Sequence, residues 1–77
     1  MKVKVLIFGQ LKDITQSASF EVTDVNDTNE IIERMNNVYP ELKKMKYLVA
    51  VEKEIIQGNT ILRDNFTVAL LPPYSGG

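Results

Sequence analysis

The run Phe66-Thr67-Val68-Ala69-Leu70-Leu71, continued by Pro72-Pro73-Tyr74-Ser75-Gly76-Gly77, decides how the chain is organised. Its first six residues are mostly apolar and have strand character. Paired prolines cannot extend a sheet ladder, because they lack the amide hydrogen and hold the preceding residue extended. The strand therefore ends at Leu71, and the residues beyond it are projected away from the sheet rather than folded back on it. After Tyr74 and Ser75 come Gly76 and Gly77, which have no side chains and fit a channel too narrow for any other residue. Six residues from Pro72 to Gly77 span at most about 20 Å, enough to carry a terminal carboxylate into a site on another protein. The expected division is a folded domain over residues 1–71 and a flexible tail over 72–77.

Working backwards, the segments upstream supply a sheet for that last strand. Lys2 to Phe8 starts with a period of two, Val3, Val5 and Ile7 on one face and Lys2 and Lys4 on the other. Leu6 and Phe8 share the lysine face, so the far end of this strand is apolar on both sides, as in a central strand or beneath a partner. Gly9 to Ser17 reads as a turn or short loop, and Ser19 to Thr23 as a second strand antiparallel to the first. Asp27 and Glu30 have capping-box spacing and predict a helix over Thr28 to Tyr39, with Ile31, Ile32, Met35 and Val38 on its apolar face. Pro40 ends it, and Glu41 to Lys46 adds a short turn. Tyr47 to Val51, a polar turn and a short extended piece through Ile56 predict a hairpin; turns at Gly58-Asn59 and Arg63 to Asn65 precede the last strand. This order predicts an α+β roll, a mixed sheet of about four or five strands with one main helix across one face, and by analogy with known folds a β-grasp.

Composition narrows the chemistry. The chain has 77 residues, 44% of them hydrophobic, which suits one domain with a modest core. A domain of this size buries about 60–65% of its unfolded surface, so a partner subunit would help it. Nine basic against ten acidic residues, with no dense basic cluster, argue against nucleic acid. The absence of Cys and His excludes disulfides, thiol nucleophiles, histidine general bases and the usual zinc ligands. Reactive chemistry is left to carboxylates, lysines or a terminus. Asp24, Asp27, Glu30 and Glu33 are explained by helix capping rather than metal binding. The four-residue apolar run after Lys4 is too short for a signal sequence or membrane span, so a cytoplasmic protein is expected.

On these residues the chain resembles the small sulfur-carrier proteins of the ubiquitin-like β-grasp class, most closely the small subunits of molybdopterin synthase. The resemblance spans nearly the whole chain: a first strand of the form of Lys2 to Phe8, the mid-chain Leu48-Val49-Ala50-Val51, and the ending Pro72-Pro73-Tyr74-Ser75-Gly76-Gly77. Gly-Gly also closes ubiquitin-like modifiers and the thiamin sulfur carrier; the paired prolines ahead of it are more selective. The chain departs from the family's commoner pattern in two places: Leu70-Leu71 stands where aromatic residues often precede the prolines, and Glu52 where Asn is frequent.

The resemblance implies that an E1-like adenylating enzyme uses ATP to activate the Gly77 carboxylate, which then becomes a thiocarboxylate, while the carrier itself binds no cofactor. It implies that Pro72, Pro73, Tyr74, Ser75 and Gly76 enter the large subunit of the synthase, where acids and bases reside. Sulfur then passes to cyclic pyranopterin monophosphate for the molybdenum cofactor. Two small and two large subunits would form a heterotetramer. Leu6, Phe8, Ala69 and Leu71 are the candidate partner patch, with two-sided burial in central strands an equal alternative. A thiamin-type carrier and a ubiquitin-like protein modifier are the alternatives within the same fold.

Overall fold

A computed structural model describes residues 1–73; the expected tail residues Tyr74, Ser75, Gly76 and Gly77 lie outside the described residues. Alternating residues build the first strand, β1 (Lys2–Ile7), followed by α1 (Leu11–Thr15), β2 (Ser19–Thr23), α2 (Thr28–Val38), a 3₁₀ turn (Pro40–Lys44), β3 (Leu48–Val51), β4 (Glu54–Ile56) and β5 (Thr67–Leu71). The five strands form one sheet in the order β2-β1-β5-β3-β4. β1 is antiparallel to β2, with Val3 opposite Val22, and parallel to β5, with Val5 opposite Val68 and Ile7 opposite Leu70. β3 runs antiparallel to both β5 and β4. A parallel pair needs a crossover between its strands, and α2 lies on that path. This is the β-grasp arrangement anticipated from the order of the elements.

Period-two alternation puts Val3, Val5, Ile7, Val68 and Leu70 on one face of the sheet, all essentially inaccessible. They meet Ile31 and Met35 of α2, with Leu11, Val25, Leu42 and Leu62 closing the margins of the core. Each such side chain contributes about 1.5–3 kcal/mol by leaving water, a gross gain that offsets part of the conformational entropy lost on folding. Helix α2 begins where the Asp27 carboxylate accepts from the Glu30 amide at 3.0 Å. The Glu30 carboxylate accepts from Asn26 N–H rather than Asp27 N–H, so the reciprocal half of the capping box closes one residue earlier than its spacing suggests. A distant loop adds a second cap: Asn59 Oδ1 accepts from Asn29 N–H at 2.8 Å, while buried Thr28 Oγ1 accepts from Thr60 N–H at 2.9 Å. The helix stops before Pro40, and the Tyr39 ring turns back onto Phe20 with ring centroids 5.9 Å apart.

Three local features differ from expectation. Residues 9–17 are not merely a loop: Leu11 and Thr15, one helical turn apart, are both buried in α1, an element too short for its periodicity to stand out. Val38 is 62% exposed, because the helix's inward stripe runs through Thr28, Ile31 and Met35 and the neighbouring Tyr39 ring takes the inward position at the helix end. Ile61 pairs as an isolated bridge with Asp27, and Leu62 behind it is core, so the segment before the last turn is tied to the start of α2.

Candidate docking face and tail root

The helix covers only one face of the sheet. On the other, strand register lines up Leu6 with Ala69, Ala69 with Ala50 and Ala50 with Ile55. Two alanines at the centre of this row make a shallow floor between larger side chains. Phe8, 42% exposed, and Ile55, 54% exposed, stand up around a concavity of about 760 Å³ that Leu71 also lines. Lys4, Thr67, Glu52 and Lys53 line it too. All four candidate partner residues, Leu6, Phe8, Ala69 and Leu71, therefore share one surface. Ala50 and Ile55 complete it and were hidden in the sequence, because the surrounding strand is apolar on both faces and gives no alternation to read.

The charged side of this face is held by an unusual turn. Glu52 and Lys53, between β3 and β4, have φ of 50° and 72°, a left-handed pair of the kind usually given to Asn-Gly in two-residue hairpins. The Glu52 carboxylate accepts from Thr67 N–H at 2.6 Å, and Glu52 N–H donates to the Thr67 carbonyl at 2.9 Å, so the turn is fastened to the start of β5. Those bonds account for Glu52 at a position where a residue with a β-carbon is strained; Lys53 has no such compensation among the described contacts. Lys53→Gly should therefore stabilise the fold by about 0.5–1 kcal/mol and raise Tm by a few degrees. Thermal unfolding followed by circular dichroism checks this, and an unchanged or lower Tm refutes it.

At the opposite end of the face, Leu71 is half-buried, Pro72 is buried and Pro73 is exposed. Packing thus continues one residue past the last strand. Pro72 and Pro73 border a small cleft with Gln10, Leu11, Met45 and Lys46. β1 and β5 are parallel, so Phe8, just beyond β1, lies beside the end of β5, and its N–H donates to the Leu70 carbonyl at 3.1 Å. The apolar end of this open face and the prolines that follow β5 are contiguous. Beside this region, where Leu48 pairs with Leu71, burial raises the Tyr47 phenol above its ordinary range. Among the described residues no group of three or more His, Cys, Asp or Glu could hold a metal ion, and no helix is long and apolar enough to cross a membrane.

Known proteins share this architecture and, at about 30% identity, part of this sequence. Over its whole length the chain is 31% identical to the molybdopterin synthase sulfur carrier subunit of Chlamydomonas reinhardtii, with 100% of each covered. A solved complex of subunits 1 and 2 of the molybdopterin-converting factor from Helicobacter pylori contains a chain 30% identical to this one, with a TM-score of 0.75 and 100% of both chains covered. A Pyrococcus furiosus structure assigned as molybdopterin converting factor, subunit 1, has a TM-score of 0.86 over 94% of this chain and 97% of its own; at 19% identity it shows the common fold. The model of the ThiS family matches residues 5–77, from the middle of β1 to the final glycine, and the chain belongs to that family.

Proposed function

We propose that this protein is the sulfur-carrier small subunit of molybdopterin synthase, with the carboxylate of Gly77 as the group that bears sulfur. The observation that carries this reading is the contiguity of an open apolar face with the root of a Pro-Pro-x-x-Gly-Gly tail, so that one partner can hold the body and receive the tail together. The relatives named as a synthase sulfur carrier and as a complex of two converting-factor subunits support it.

The chemistry rests on what the chain has and lacks. A carboxylate is a poor electrophile until an oxygen becomes part of a leaving group. An E1-like enzyme binding ATP supplies this: a Gly77 carboxylate oxygen attacks the α-phosphorus, pyrophosphate leaves, and the acyl-adenylate forms. A sulfide equivalent then displaces AMP at the carbonyl carbon, leaving a thiocarboxylate. Its sulfur is the nucleophile delivered to cyclic pyranopterin monophosphate inside the large subunit, where acid and base groups reside. Two such deliveries supply the dithiolene sulfurs. The small subunit donates sulfur without catalysing the transfer itself, binds no cofactor, and works in a cytoplasmic heterotetramer of two small and two large subunits.

Intact-mass spectrometry of the protein from its native cells tests the first half of this cycle. The expected result is a gain of about 16 Da, sulfur in place of oxygen, carried by the C-terminal fragment; oxidation of Met1, Met35 or Met45 gives a similar gain on other fragments. A Gly77 that stays unmodified after incubation with ATP, a sulfur source and the cell's activating enzymes overturns the reading.

A further inference from the structure

We infer that Gly9 is a positioning residue for sulfur transfer: its bare α-carbon is the seat on which the Pro72 ring rests, and that seat sets the direction in which the tail leaves the body. A β-carbon at Gly9 would lie 2.4 Å from Pro72 Cγ, closer than real contacts allow, and 3.3 Å from Cδ, tighter than most. The backbone there has φ of 62°, a second and independent reason for glycine. Gly9 cannot easily yield. The N–H of Phe8 on one side is bonded to the Leu70 carbonyl, and the Gly9 carbonyl accepts from Lys12 N–H at 3.1 Å in the first turn of α1. Crowding at this point therefore displaces Pro72.

Pro72 is the hinge post of the tail. Its ring fixes its own φ near −65°, and Pro73 after it restricts its ψ to extended values, so the position of the ring sets the path of the next peptide. Five residues beyond it reach at most about 17 Å, and tilting the root by about 10° carries the tip about 3 Å sideways. A misplacement of about 1 Å at a reacting centre can cost about 100-fold in rate. The seat also decides whether the body can dock through Leu6, Phe8 and Ala69 while the tail is inserted, the condition for the second contact to be effectively intramolecular. For its rate arm this inference rests on the sulfur-carrier reading.

The test uses Gly9→Ala, Pro72→Ala and the double variant, with Gly58→Ala as control because nothing lies within 4 Å of a β-carbon there. The chain has no cysteine, so Ser75→Cys gives a unique site for a nitroxide, whose broadening of body amide signals in the free protein maps where the tail points. Each single variant should redistribute that broadening and lower the transfer rate at saturating large subunit by about 10-fold or more, a loss in kcat rather than in KM. In the double variant the alanine at position 9 no longer meets a ring, so the losses should not add. A folded Gly9→Ala protein with wild-type broadening and rate, or strictly additive losses, overturns the inference. If Gly9→Ala does not fold, Pro72→Ala decides by the same readouts. If the wild-type protein carries no sulfur, the carrier reading fails and the broadening alone judges the seat.

Discussion

Deleting Gly77 alone is expected to abolish sulfur transfer while leaving the body's Tm unchanged within about 1 °C. The deletion still leaves a terminal carboxylate, on Gly76, but draws it back about 3.5 Å along an extended tail. Chemistry at a fixed site tolerates far less than that, and a shift of about 1 Å can already cost about 100-fold. Stability should not change, because Gly77 has no side chain to bury. Single-turnover assays with the activating enzyme and large subunit, beside thermal melts, separate the two effects. Wild-type transfer by the shortened chain would sink the assignment of Gly77.

Ala69→Arg is expected to leave the free protein folded and to weaken its binding to the large subunit by about 30- to 700-fold. Ala69 lies between Leu6 and Ala50 on the floor of the open face, on the side of β5 away from the helix. In the free protein an arginine there can run its stem over the apolar floor and keep its guanidinium in water, so Tm should move little. In the docked complex the same charge is desolvated without a partner. Losses at the centre of an interface commonly reach about 2–4 kcal/mol, which corresponds to that range of Kd. Titration calorimetry against the large subunit measures it, and a Kd within about threefold of wild type would show that docking lies elsewhere.

Local patterns made much of this fold legible. The alternation of Val3, Val5 and Ile7, the Asp27 cap, the helical stripe through Ile31 and Met35, and the stop at Pro40 each arise within a few residues of chain, where periodicity and steric rules operate. Pairings between distant segments were not legible. No local signal says that β5 lies between β1 and β3, and without that register Ala50 and Ile55 do not join Leu6 and Ala69. The Glu52-Lys53 turn was read as polar, but its left-handed backbone was concealed because neither residue is glycine or asparagine. The two prolines announced the end of the sheet. Burial of the first against Gly9 depends on a contact across almost the entire chain.

The central place of β5 ties display of the tail to completion of the body. Without that strand, β2-β1 and β3-β4 have nothing to join them, and Val5, Ile7 and Val51 lose a neighbour in the layer beneath α2. An unfinished or locally melted chain thus loses the floor of the open apolar face and the anchorage of Pro72 in one event, since Ala69 and Leu71 belong to the strand that leads into Pro72. On the proposed reading, foldedness and presentation become a single cooperative property, because the strand that completes the sheet also leads through Leu71 to Pro72, where the tail begins.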